Sequence, residues 1–161
     1  MNVDSVTQLG QGLYFEDFAL GRRFCSNGRT IQDADVCNFI NVTHMNEVLF
    51  TDMEYVQAEA AIKGRLVPAA LTYCFAEGLV MADSVQRTGL AFLNMEVDVK
   101  SPAFAGDTIH VEMEVIEARL SKSRSDRGLV RTRNEVKRHD GTLLLIYTPL
   151  RLLKAREKSR A

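Results

Sequence analysis

The chain has 161 residues, 46% of them hydrophobic and 25% charged, with a formal net charge of −1. That length predicts one domain with a sizeable core, and the composition is that of an ordinary globular protein. The near-zero charge gives no general pull toward nucleic acid. The opening MNVDSVTQLGQG is polar, with no apolar core and no basic start, so a secretion signal is not expected and the protein reads as cytoplasmic.

Residues 1–12 read as a loose arm, followed by the aromatic and acidic LYFEDFALGRRF, in which Gly21 marks a turn. Residues 22–30 predict a first strand. TIQDADVCNFINV predicts a helix with Thr30 as N-cap and Asp33 three residues on, an acidic variant of the capping box. THMNEVLF breaks that pattern. Thr51 or Asp52 then caps a helix that runs to Gly64.

The stretch LVPAALTYCFAEGLVMA at 66–82 is apolar on every side when wound as a helix, the mark of a buried helix. It is too short and too interrupted to span a bilayer comfortably. Pro68 suits its first turn, where a missing N–H costs nothing. The helix is expected at 68–82. Within it Cys74 reads as a small buried hydrophobe. Glu77 reads as a carboxylate reaching the helix end or a backbone donor, or as a buried base.

From Leu90 the period changes to two. Ala91, Leu93, Met95, Val97 and Val99 alternate with Phe92, Asn94, Glu96 and Asp98, which predicts a half-buried strand at 90–99. Further strands are expected at 109–119, 129–138 and 142–153. The turn-rich SKSRSDRG lies between the first two and the hairpin signal Asp140-Gly141 between the last two. Pro149 fits only at an edge or a bulge. The charged tail 154–161 is expected to fray. The result is an α+β domain at 13–153, with a curved antiparallel sheet wrapped around one long helix.

Chemistry-bearing motifs are few. Cys25, Cys37 and Cys74 are odd in number and lack ligand spacing, so they read as reduced thiols with no metal. There is no HExxH, no Gly-rich phosphate loop and no G-x-S-x-G. His110 and His139 take no role. Lys122, Arg124 and Arg127 make a basic hairpin end, either a solvated turn or a seat for phosphates or an acidic partner.

Several strings in their order resemble the MaoC-like hydratases. These are YFEDF at 14–18, TDMEY at 51–55, KGRLV at 63–67, AFAGDTI at 103–109 and SKSRSDRGLV at 121–130. That family has the hotdog fold and includes the (R)-specific enoyl-CoA hydratases. The resemblance implies a lyase-type protein that adds water to, or removes it from, an acyl chain held as a thioester of CoA or acyl carrier protein, without a separate cofactor. It also implies a homodimer or higher oligomer, or a hetero-oligomer with another hotdog chain, with no nucleic acid or membrane partner.

The family's catalytic Asp and His, five apart in T-G-D-x-N-P-L-H, fall here on Met45 and Phe50, and the His-Gly pair that opens its central helix falls on Pro68-Ala69. Neither Met nor Phe exchanges a proton, so ordinary acid–base chemistry cannot run from those positions. Ala69 keeps the backbone N–H that the family uses to hold the thioester carbonyl. Two readings follow. In one, an altered hydratase or dehydratase moves protons through His44 and Glu47 and binds its acyl thioester with Met45, Phe50, Val67 and Ala69, the phosphates meeting Lys122, Arg124 and Arg127. In the other, a non-catalytic hotdog subunit binds acyl thioester or supports an active homologue, and His44 and Glu47 are solvated loop residues.

Overall fold

A computed structural model of the chain describes residues 8–156. The outer parts of the proposed arm and tail, 1–7 and 157–161, lie outside the described residues. After a short 3-10 turn at Phe15–Asp17 come β1 (Arg23–Cys25), β2 (Arg29–Thr30), α1 (Asp33–Thr43), α2 (Val48–Thr51), α3 (Met53–Ala58) and α4 (Ala69–Ser84). The strands β3 (Gly89–Asn94), β4 (Val97–Val99), β5 (Thr108–Leu120), β6 (Arg127–Arg138), β7 (Leu143–Tyr147) and β8 (Leu150–Lys154) follow.

All pairings in the eight-stranded sheet are antiparallel. β5 and β6 form its spine, with β1 and β2 along the far side of β5. β6 pairs with β7 over one half of its length and with β8 over the other, and β4 and β3 lie outside these in turn.

The strands expected at 90–99 and 142–153 are each broken in two. One break falls at Met95–Glu96 and the other at Thr148–Pro149, and they face each other: the Thr148 N–H donates to the Glu96 carbonyl at 3.0 Å. Pro149 has no N–H for a ladder, so the strand is interrupted where it sits. At the other end Gly141, at φ 87°, makes the β6–β7 turn that Asp140-Gly141 predicts.

The start of α1 differs from the sequence expectation. Thr30 belongs to β2, where its hydroxyl bonds that of Thr108 at 2.7 Å. The helix begins after Gln32, whose N–H donates to Asp35 Oδ2 at 2.8 Å. Thr30 is already committed to the sheet, so the cap falls two residues later. Asp52 does cap α3, accepting from the Tyr55 N–H at 2.9 Å, but that helix ends at Ala58 and not near Gly64.

The core lies between α4 and the concave face of the sheet. Ile109, Val111, Met113 and Val115 of β5, Val130 and Val136 of β6, and Leu144, Leu145 and Tyr147 of β7 meet Leu71, Ala76 and Val80 of α4. Burial of these apolar side chains is the main force holding helix to sheet.

One chain does not enclose the helix. Ala70, Cys74, Gly78, Met81 and Ala82 are exposed, and every residue of β3 and β4 is exposed, where half-burial is expected. Cys74 is therefore not a core residue. The sheet ends at the β3–β4 edge before it can wrap the far side of α4.

The start of the tail is docked. Lys154 closes β8, and Arg156 pairs with Asp17 at 2.6 Å.

Candidate functional site

The loop between α1 and α2 opens with His44 in the left-handed region, φ 57° and ψ 30°. His44, Met45 and Glu47 are all exposed. Among the described residues neither His44 nor Glu47 makes a side-chain hydrogen bond, so the structure does not join them as a pair. The loop then turns inward at α2 and buries Phe50.

Phe50 is held from behind. The Arg65 guanidinium donates through Nη1 to the Phe50 carbonyl, through Nε to Asp33 Oδ1 at 2.5 Å and through Nη2 to the Cys37 sulfur at 3.3 Å. Arg65 holds the Asp33 carboxyl below its ordinary range. This three-way contact ties α1, α2 and the segment before α4 together.

In front of Phe50 lies a cavity of about 330 Å³. Phe50, Val67, Ala69, Thr72, Ala103, Leu144 and Leu145 are among the residues that line it. Three of the four residues expected at the pocket are there, and Met45 is not among them. The one ionisable side chain in the wall is Lys100, paired with Asp98. Behind Phe50 is a second, polar cavity of about 500 Å³, bordered by Asp33, Cys37, Asn41 and Arg65.

The first cavity sits at the N-terminus of α4. Pro68 is the N-cap, and its carbonyl accepts the Leu71 N–H at 2.9 Å and the Thr72 N–H at 3.2 Å. Among the described residues nothing accepts the N–H of Ala69 or Ala70. These are donors at the positive end of a 16-residue helix. Thr72, one turn on, is 2% exposed and its hydroxyl has no partner.

Lys122, Arg124 and Arg127 lie at the other end of the same helix. Their hairpin joins β5 to β6 where Arg127 stands opposite Lys154 and the Lys154 N–H bonds the Thr88 carbonyl, beyond the C-terminus of α4. A helix of that length spans about 24 Å. Arg127 and Arg124 both grip Asp126, at 2.9 and 3.2 Å, and hold its carboxyl far below its ordinary range. Within one chain this hairpin is not part of the cavity.

Midway along α4 is a buried polar cluster. Glu77 pairs with Arg151 of β8, and not with a backbone donor or the helix end. Asn134 and Tyr147 are cross-strand partners beside it, both fully buried. Tyr73 packs edge-on against Tyr147, with ring centroids 5.2 Å apart. Burial, and then the Glu77 charge, push the Tyr147 phenol far above its ordinary value.

Sequence reasoning missed Thr72, Lys100, Arg65 and Arg151. Only Arg151 carried a signal, since two opposite charges in apolar segments, Glu77 in α4 and Arg151 between Leu150 and Leu152, must find each other. Among the described residues no group of three or more His, Cys, Asp or Glu is placed to hold a metal, and no helix is long and apolar enough to cross a membrane.

No protein-family model and no curated protein matches the sequence. Solved structures do match. A monoamine oxidase regulatory protein from Archaeoglobus fulgidus is 25% identical with a TM-score of 0.79, over 90% of this chain and 96% of that one. A MaoC-like dehydratase from Rhodospirillum rubrum is 23% identical with a TM-score of 0.82, over 91% of this chain and 100% of that one. A double-hotdog protein from Mycobacterium tuberculosis is 21% identical with a TM-score of 0.81, over 96% of this chain and 48% of that one. The fold is the hotdog, and its structural neighbours include MaoC-like dehydratases.

Proposed function

We propose that this chain binds an acyl thioester of CoA or acyl carrier protein, in a hotdog of the MaoC-like hydratase and dehydratase type whose water-activating half is replaced by apolar side chains. The observation that carries this reading is the cavity at the start of α4, lined mostly by apolar side chains and bordered by Ala69, whose N–H is free. Backbone donors at a helix N-terminus suit a polarised carbonyl oxygen. At about 330 Å³ the cavity takes an acyl group and not the whole thioester.

Its walls carry Lys100 but no carboxylate and no imidazole. Phe50 offers no proton, Met45 lies outside, and His44 and Glu47 are on the solvent side of the loop. This arrangement favours the subunit reading, in which binding persists and catalysis belongs to another chain. If the chain turns over a substrate by itself, His44 and Glu47 would have to reach the cavity by movement of their loop.

The reading includes at least a dimer. β3 and β4 form an open edge with Phe92, Leu93, Val97 and Val99 exposed, and such edges are normally paired or covered. Two-fold pairing along this edge sets the strands antiparallel. The partner's basic hairpin at 121–127 then moves from the Gly89 end of its own sheet toward the cavity beside Val99. Lys122, Arg124 and Arg127 could meet phosphates there, in trans.

A thermal-shift screen with acetyl-, butyryl-, crotonyl- and hexanoyl-CoA tests the proposal. At least one ester should raise the melting temperature in proportion to the logarithm of its concentration once binding saturates, while crotonyl-CoA hydration by the protein alone stays very weak or absent. No shift with any ester or with the corresponding acyl carrier proteins would refute the binding role. Full-rate crotonyl-CoA hydration would refute the loss of the water-activating half.

A further inference from the structure

The apolar and the polar cavity share one residue, and its own helix does not hold it in place. Phe50 lines both. It belongs to α2, a helix of four residues, which is too short to be stable by itself. The Phe50 N–H donates to the Glu47 carbonyl at 2.9 Å. Its own carbonyl is one of the last in the helix, where carbonyls lack a partner within the helix. Arg65 supplies that partner through Nη1.

Arg65 stands on a fixed backbone. Its carbonyl accepts the Ala105 N–H at 3.0 Å, and the Val67 N–H donates to the Ala103 carbonyl at 2.9 Å. Leu66 and Phe104 form an antiparallel bridge between these bonds. The segment leading into α4 is thus stitched to the connection before β5. From there the guanidinium reaches three acceptors on two other elements: the Phe50 carbonyl of α2, and Asp33 Oδ1 and the Cys37 sulfur of α1. A planar fork of five N–H groups suits such a spread of acceptors, where a lysine ammonium is a single point of charge. Leu66 and Val67, the next two residues, line the apolar cavity. Arg65 therefore carries part of the cavity wall on its own strand and holds another part, Phe50, by its side chain. Behind Phe50 the polar cavity, of about 500 Å³, leaves room for the ring to withdraw.

We infer that Arg65 is a positioning residue that sets the depth of the acyl cavity by holding Phe50 forward, and so limits the length of the acyl group the cavity accepts. The inference rests on the acyl-thioester reading above. Arg65 acts through the backbone of α2 and needs no contact with the ligand. Without its guanidinium, Phe50 falls back toward the polar cavity and the apolar one deepens. The effect is independent of the missing acid and base, and operates whether the chain is an enzyme or a binding subunit.

Two measurements on the full-length protein test it, amide hydrogen exchange and isothermal titration with butyryl- and hexanoyl-CoA. In Arg65→Met, exchange at residues 48–52 should speed up while the amides of β5 and β6 keep their protection. The affinity for hexanoyl-CoA relative to butyryl-CoA should rise by about 10-fold over the wild-type ratio, the gain from moving two further methylenes into apolar surroundings. Arg65→Lys should shift the ratio in the same direction by less. So should Asp33→Ala, which loosens the guanidinium from an exposed position and serves if Arg65→Met does not fold. A general loss of stability would weaken both esters alike and leave the ratio where it was. An unchanged ratio in the folded variants, or unchanged exchange at 48–52, would overturn the role of Arg65 and leave acyl binding standing. If the wild type binds neither ester, both readings fall.

Discussion

The two halves of α4 reverse what their surroundings suggest. Its N-terminal half opens on a cavity where hotdog hydratases are expected to keep an acid and a base, and there the walls are Phe50, Val67, Leu144 and Leu145. Its middle runs through the apolar core, and there the chain buries an ion pair, an amide and a phenol: Glu77, Arg151, Asn134 and Tyr147. The cavity carries one ionisable side chain in its wall, Lys100, whereas the middle of the helix buries the Glu77–Arg151 ion pair. The two regions must therefore be justified differently. The cavity can be judged by what it binds. The cluster can be judged by what its removal does to the fold.

The strongest test of that contrast is to break the buried pair. Arg151→Met leaves the Glu77 carboxylate in the core without a counter-charge, and should cost about 3–5 kcal/mol in urea unfolding. The double variant Glu77→Met with Arg151→Met should recover most of the loss, since a well-packed apolar pair often equals a buried ion pair. A double variant as unstable as the single one would mean that the cluster is held by Asn134 and Tyr147 as much as by charge.

At the other end of the helix, Phe50→Ala should cost about 3 kcal/mol, the lower end for a buried phenylalanine because the residue already borders two cavities. It should also join the apolar cavity to the polar one in which Arg65, Asp33 and Cys37 lie. Longer acyl-CoA esters should then gain affinity relative to butyryl-CoA in titration. An unchanged chain-length preference would show that Phe50 does not limit the cavity.

The same contrast explains what was legible in the sequence. The long helix and the β5–β6 spine were readable because their periodicity reports burial within one chain. The break of the outer strands at Met95–Glu96 and Thr148–Pro149 was legible only through Pro149, because alternation continues across it. The exposure of β3, β4 and Cys74 was not readable, because an apolar pattern does not say whether the rest of the same chain covers it. At the site, Phe50, Val67 and Ala69 reached the cavity as their places in the pattern implied, whereas Met45 stays outside because His44 turns the chain through a left-handed residue first.

The smallest effect belongs to an exposed charge, which completes the comparison. Asp140, in the β6–β7 turn, accepts the Thr142 N–H at 2.9 Å, and that bond, helped by Arg138, lowers its pKa to about 2. An unfolded aspartate titrates near 3.9. The native state thus prefers the ionised form, so the contribution is complete above about pH 4 and is lost as pH falls toward 2. Asp140→Asn keeps an oxygen that can accept the same N–H but cannot titrate. Its urea midpoint at pH 7 should lie slightly below that of the wild type, and the gap should close between pH 4 and pH 2. Because Asp140 is exposed and screened by solvent, the gap should stay well below that caused by Arg151→Met. A gap that persists unchanged at pH 2 would show that the substitution acts through the turn's conformation and not through its charge.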